Sequence, residues 1–235
     1  MKQTLSRFTW APLHGRHVLL VALFLVFMAV LIQQAQAAPG GVDQSTAVLI
    51  LPRVHVLPGS QTTVPLILQS ASSSVYSADI TVRYDPAVTT AVDVVQGGAV
   101  PDWSLARNLQ TSGEVRIAVA GARPLTGVGE LVVLTFQAVE AEGSATALTL
   151  TRGDLNEGSV PAALQHGQVV VSASPCYDLV EPPGVGVTDI QLVAALWRQR
   201  VSPPYDGDED GMITVADIMR VATAWGDTCP SWAND

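Results

Sequence analysis

The stretch VYSADITVRY, Val75–Tyr84, alternates strictly: Ala78, Ile80, Val82 and Tyr84 fall on one side, Asp79, Thr81 and Arg83 on the other. Period-two alternation gives a strand one face for a core and one face for water. Outward from it, EVRIAVAG (Glu114–Gly121) repeats the pattern through Val115, Ile117 and Val119. By contrast ELVVLTFQAV (Glu130–Val139) is apolar on both faces for most of its length, as a strand in the middle of a sheet is. Further strands are expected at AVLILP, TVPLILQS, TTAVDVV, TALTLTR and GQVVVSA. Turn signals separate them at Pro58-Gly59, Asp85-Pro86, Gly97-Gly98, Gly127-Val128-Gly129 and Asn156-Glu157-Gly158. Eight or nine short strands without a helical stretch predict a mainly β fold, an antiparallel β-sandwich over residues 44–173.

Of 235 residues, 48% are hydrophobic and 14% charged, with a formal net charge of −9. A chain this apolar has surface enough to bury and is not disordered. Its acidic balance repels phosphate and excludes a nucleic-acid partner. The first 37 residues stand apart: Lys2, Arg7 and Arg16 precede fifteen unbroken apolar residues, Val18–Ile32, and then the small-x-small triplet Ala35-Gln36-Ala37. That order reads as a secretory signal peptide over residues 1–37, cleaved after Ala37 or Ala38. The rival is a retained membrane anchor, but the apolar run is shorter than the ~20 residues that span a bilayer. The expected mature protein is secreted, extracellular and without an anchor. Cleavage removes three of the twelve basic residues and none of the acidic ones, leaving a charge of −12 and no lysine. Schiff-base chemistry is thereby excluded.

Beyond Ser174-Pro175 the texture changes. From Cys176 onward ten acidic residues face three arginines, and two helical stretches appear, DIQLVAALWR (Asp189–Arg198) and ADIMRVATAW (Ala216–Trp225). They repeat at an offset of 28 residues: Tyr177-Asp178 with Tyr205-Asp206, Asp189-Ile190 with Asp217-Ile218, Val193-Ala194 with Val221-Ala222, Trp197 with Trp225. A duplication this dense predicts two equivalent loop-helix units packed on one another. Ile190, Val193, Ala194 and Trp197, like Ile218, Val221, Ala222 and Trp225, share one helix face and are expected in the core between the units.

The loop before the second helix carries the chemistry. Asp206, Asp208, Asp210 and Asp217 stand at the first, third, fifth and twelfth positions of a twelve-residue loop, with Gly211 sixth for a sharp turn. Ca²⁺ takes roughly six to eight oxygen ligands, and alternate residues of such a loop point inward. The Met212 carbonyl and a water held by Thr214 are expected to complete the set, with Ile213 turned to the core. The first copy keeps Asp178 and Asp189, but Val180 and Pro182 replace the inner carboxylates and Pro183 the glycine. Proline cannot supply a glycine-like turn, so this copy is expected to have lost calcium while keeping its helix.

Two repeats of 28 residues, each with Asp at loop positions one and twelve and an Ile-x-x-Val-Ala-x-x-Trp helix, resemble a dockerin module over residues 177–225. The expected module is 176–230, with a degenerate repeat 177–198 and an intact one 205–226. The β region, residues 46–172, resembles a cohesin domain through GSQTTVPLIL, ADITVRYDPAV, GEVRIAVAGARPLTGVGELVVLTFQAV and DLNEGSVPAALQHGQVVV. The resemblance implies a nine-stranded jelly-roll sandwich related to carbohydrate-binding modules, docking dockerins in cellulosome-like assemblies. For the repeats it implies partner contacts at Val187, Thr188, Val215, Ala216, Ala222 and Thr223, a set that lacks the hydroxyl pair of some family members.

Cys176 and Cys229 bracket the repeats. In an exported chain, a disulfide between the two ends of a duplicated unit is preferred over two free thiols. Zinc is disfavoured because no CxxC and no neighbouring histidine occurs. No G-x-S-x-G, HExxH, P-loop or GxGxxG is present. His55 and His166 lie beside strands, and Asp79, Asp85, Asp93, Asp154 and Glu157 are explained by strand faces and turns. The expected function is therefore non-catalytic: a secreted, calcium-dependent adaptor that links dockerin- or cohesin-bearing proteins in extracellular polysaccharide degradation or cell-surface assembly. The alternative is a carbohydrate-binding protein whose sandwich contacts polysaccharide directly, with Trp103 as its one aromatic candidate in the β region.

Overall fold

The computed structural model describes residues 47–172 and 176–229. The expected export segment and residues 173–175 of the linker lie outside the described residues. The described residues fall within one compact unit. Its strands are β1 (Ala47–Ile50), β2 (Arg53–Val56), β3 (Gln61–Arg83), β4 (Thr89–Gln96), β5 (Ser104–Asn108), β6 (Glu114–Ala138), β7 (Ala145–Leu155), β8 (Ala162–Gln165) and β9 (Gly167–Val171).

Strands expected separately run together in two places. TVPLILQS joins VYSADITVRY in β3, and EVRIAVAG joins ELVVLTFQAV in β6. Register shifts at Leu66/Ile67, Ser70/Val75 and Val75/Ser77 bend the β3–β6 ribbon so that it serves two layers. The first half of β3 lies on the second half of β6, flanked by β4, β1 and β8. The second half of β3 lies on the first half of β6, flanked by β5 and β7, with β9 and then β2 beyond β7.

Most pairs are antiparallel as expected, but β1–β8 and β2–β9 are parallel. Alternation encodes which face is buried and carries no information on strand direction, so those two returns were not legible.

The core lies between the layers. Ala78, Ile80 and Val82 point into it from β3, Val115, Ile117 and Val119 from β6, and Leu66, Leu68, Val132 and Leu134 from the opposite layer. Each valine, leucine or isoleucine among them contributes about 1.5–3 kcal/mol on burial. Tyr84 meets Phe136 edge-on at 5.2 Å between ring centroids.

Two short helices follow, α1 (Val187–Ala195) and α2 (Val215–Thr223). They do not stand apart from the sandwich. Leu179, Val180, Val185, Leu192, Val193 and Leu196 form a second apolar cluster with Ile50 of β1 and Ile67 of β3, joined by Val201, Tyr205, Ile213 and Val221. The outer face of the β1–β3–β6 layer is thus covered by the chain's own C-terminal segment.

Hydrogen bonds fasten it there. The Gln199 amide donates to the Val128 carbonyl at 2.7 Å and the Thr63 hydroxyl to the Pro203 carbonyl at 3.1 Å. Glu130, buried, accepts from the Gly98 and Ser202 amides, both at 2.8 Å, while burial pushes its carboxyl pKa up. Gly97-Gly98, expected as a plain turn, has a packing reason: a Cβ on Gly98 would stand 2.2 Å from the Arg200 carbonyl oxygen.

Trp197 and Trp225 correct the expected inter-unit core, being 48% and 59% exposed. The helices end at Ala195 and Thr223, so the projected fourth position of each stripe falls beyond the helix and turns to solvent. Ala194 and Ala222 are exposed as well, and Val193 and Val221 alone are fully buried from each stripe.

Candidate functional site

The duplication is visible atom by atom in the two loops. Asp189 accepts backbone N–H bonds from Leu179, Val180 and Gly186 at 2.7, 3.1 and 2.8 Å. Asp217 accepts from Gly207, Asp208 and Thr214 at 2.8, 3.4 and 2.8 Å, the same positions 28 residues on. The units also exchange backbone bonds reciprocally. Val185 pairs with Gly226 and Asp227, and Ile213 pairs with Arg198 and Gln199.

In the second loop the carboxylates of Asp206, Asp208 and Asp210 converge, with ligand oxygens within 4.8 Å of one another. Asp206 is 3% exposed. Its Oδ2 accepts from the Gly211 amide at 2.8 Å, and its Oδ1 has no hydrogen-bond partner among the described residues. Burial raises the Asp206 pKa, the Gly211 and Asp210 amides oppose that, and the charges of Asp217 and Asp210 add to it. An orphaned buried oxygen beside two further carboxylates fits a hard cation.

Asp217 and Thr214 have structural duties that the spacing did not reveal. Burial would raise the Asp217 pKa, but the Thr214, Gly207 and Asp208 amides outweigh it and hold the group low. Thr214 is the N-cap of α2: its hydroxyl accepts from the Ala216 amide at 3.1 Å and donates to Asp217 at 3.2 Å. The Met212 amide donates to Asp210 at 2.8 Å, and Ile213 is fully buried as expected.

The first loop turns despite Pro183. Gly184 takes the bend one position later, at φ +96° against +86° for Gly211, and its amide donates to Asp178 at 3.0 Å. Asp178 also receives the guanidinium of Arg53, Nη1 at 3.1 Å, from strand β2. Burial pulls the Arg53 pKa down, while Asp178 opposes that. Sequence reasoning missed Arg53, whose one signal is a cation inside the apolar run LILPRVHVL.

Of the expected partner-contact residues, Val187, Val215, Ala216, Ala222 and Thr223 are exposed. Thr188 is half-buried and lines a groove against Ile50, Gln69 and Gln165 of the sandwich. Cys176 and Cys229 form the expected disulfide, with 5.9 Å between Cα atoms. A neighbouring histidine does exist in space: His55 lies within 4.8 Å of both sulfurs, which the sequence separation concealed. Burial, and then the charge of Arg53, pull its pKa down to about 4 against the pull of Asp178.

Among the described residues, nothing covers the second layer's outer face. Ala106, Asn108, Arg116, Ala118 and Ala120 are exposed along β5 and β6, beside Asp79 and Thr81 of β3. Two adjoining shallow troughs, each of about 300 Å³, run over this face. Ala106 and Ala118 line both, and Arg116 and Arg152 stand at the first.

Asp79, Asp93 and Asp154 are paired with arginine. Arg152 meets Asp154 at 2.7 Å and Asp79 at 3.5 Å, and Arg107 meets Asp93 at 2.5 Å. Trp103, the sugar-stacking candidate, is buried: its indole donates to the Arg123 carbonyl at 2.9 Å and its ring closes over Gly121. It offers no face to a glycan.

Among known proteins, the family model of the cohesin domain matches residues 47–171. No curated protein sequence matches the chain. Similar solved structures include CaCohA2 from Clostridium acetobutylicum, at 23% identity and a TM-score of 0.50, covering 55% of this chain and 93% of that one. A non-cellulosomal cohesin from the hyperthermophilic archaeon Archaeoglobus fulgidus is 20% identical at a TM-score of 0.48, covering 55% and 92%. The OlpA cohesin of Clostridium thermocellum, solved in a type I complex with the dockerin Doc918, is 16% identical at 0.48, covering 54% and 99%. Through residues 47–171, more than half its length, the chain belongs to the cohesin-domain family.

Proposed function

We propose that the protein is a secreted, non-catalytic adaptor whose open sheet face docks dockerin-type modules, and whose own C-terminal segment is a dockerin-like module with one calcium loop. The observation that carries this reading is the asymmetry of the sandwich. One outer face is already covered by the C-terminal segment, while the face of β5, β6, β3 and β7 is open and troughed. Its alanine floor and paired rim charges suit a packed helix better than a reactive ligand. In the second loop Asp206, Asp208 and Asp210 would hold Ca²⁺, with the Met212 carbonyl and a water on Thr214 adding oxygens. The ion would neutralise three clustered carboxylates and tie the loop to α2.

Calorimetry of the mature chain against isolated dockerin modules tests the docking face. Binding to a matching module should weaken at least about tenfold in Ala118→Arg, which places a desolvated charge in the trough. Retention on insoluble polysaccharide, unaffected by Ala118→Arg, would instead establish the glycan-binding alternative.

A further inference from the structure

Arg53 is the largest fully buried side chain among the described residues, and neither docking nor the second loop uses it. The loop it enters is the copy that has exchanged its inner carboxylates for Val180 and Pro182. Asp189 is occupied by three backbone N–H donors, as Asp217 is in the other loop. Asp178, 1% exposed, accepts from the Gly184 amide and meets the guanidinium of Arg53, itself 0% exposed. One further buried carboxylate calls for a monovalent cation. Asp206, Asp208 and Asp210 together call for a divalent one. A delocalised, weakly hydrated guanidinium is the monovalent cation that tolerates burial best.

We propose that the Arg53 guanidinium is the resident cation of the first loop: the loop has become a guanidinium site filled from the sandwich, and thereby the clamp that holds the C-terminal segment on the sheet. The contrast with the second loop rests on its calcium reading, whereas the clamp itself does not. Beside the ion pair, the Arg53 amide donates to the Leu179 carbonyl at 2.8 Å, so backbone and side chain of one residue grip the same loop. The first repeat is then seated without calcium, and chelation reaches only the second.

Hydrogen exchange on the mature chain, in calcium and in chelator, tests this with Arg53→Met, Asp178→Asn and the double variant. In the wild type, chelator should leave protection of residues 177–196 unchanged while that of 205–223 falls. Arg53→Met should speed exchange over 177–196 by roughly a hundredfold in either condition, because it strands a buried carboxylate. The double variant, with neither charge left, should recover most of that protection. If Arg53→Met does not fold, recovery of the double variant relative to Asp178→Asn carries the same information.

Three results would overturn the clamp: chelator exposing 177–196 as fully as 205–223, Arg53→Met leaving exchange unchanged, or a double variant no better protected than either single. A chain that takes up no calcium yet shows the loss and the recovery would refute the calcium reading of the second loop and support the clamp.

Discussion

The two repeats of the C-terminal segment share one pattern and differ in what lies against them. Leu179, Val180, Leu192, Val193 and Leu196 of the first are buried on Ile50 and Ile67, and its loop carries the buried Arg53–Asp178 ion pair. In the second, Val215, Met219 and Trp225 face solvent, Tyr205, Ile213 and Val221 reach the shared cluster fully buried, and three carboxylates converge. Where a sheet supplies the packing, the loop has shed its inner carboxylates. Where the helix is half in water, the carboxylates remain. Loop chemistry thus follows tertiary support, and each copy has a different source of order.

The largest expected effect breaks the comparison at the bond that joins its ends. Cys176 precedes the first repeat and Cys229 follows the second, 53 residues apart. Replacing both by alanine should cost about 4 kcal/mol of stability from loop-closure entropy. The damage should be unequal, with the second repeat fraying first, since the first retains Ile50, Ile67 and Arg53. Denaturant titration gives the total, and peptide-resolved exchange gives the division. Equal fraying of both repeats would show that sheet contacts do not distinguish them.

A smaller effect isolates the second loop. Asp206→Ala removes the buried carboxylate that anchors the aspartate triad and should abolish calcium uptake, for which the mature chain should otherwise show one site. At calcium about a hundredfold above the dissociation constant, the stability gained from the ion, about 2.7 kcal/mol, should vanish. Titration calorimetry reads both stoichiometry and loss. A second site surviving in Asp206→Ala would mean that the first loop still binds and that the two copies are less different than their packing indicates.

This contrast was partly legible without coordinates. Alternation at Ala78, Ile80 and Val82 marked the inward face of β3, and the 28-residue register marked the two loops, because both are local patterns with a fixed period. Val180, Pro182 and Pro183 told that the first loop had changed. What replaced its ligands was not legible, since Arg53 lies 125 residues away from Asp178 and enters from another layer. Gly97-Gly98 looked like a turn because a glycine's spelling is the same whether it bends the chain or makes room for a neighbour, here Arg200. Trp197 and Trp225 misled for a related reason: helical periodicity projects a face onward, and only the cap decides where the projection stops. Trp103 could pass for a surface aromatic until its indole was found against Gly121.

The smallest expected effect concerns the junction between sandwich and first repeat. His55, two residues from Arg53 and beside the disulfide, has no hydrogen-bond partner on either ring nitrogen among the described residues. Burial holds its pKa near 4, so the folded chain keeps the imidazole neutral where the unfolded chain, titrating near 6.5, takes up a proton. The unfolded state therefore binds more protons between those values, and stability rises with pH there. The contribution is complete above about pH 6.5 and is lost as pH falls toward 4. Glu130 acts in the opposite sense, since its raised pKa favours the folded state on the acid side, but it is common to both proteins compared. Urea unfolding in chelator at pH 7.5 and 5.0 should show the wild type losing about 1 kcal/mol more than His55→Gln, after allowance for partial screening at a half-buried ring. Exchange at pH 5.0 should loosen residues 177–196 before α2. An identical pH dependence in both proteins would mean that water reaches the imidazole, and that the first repeat sits less tightly on the sandwich than its buried contacts imply.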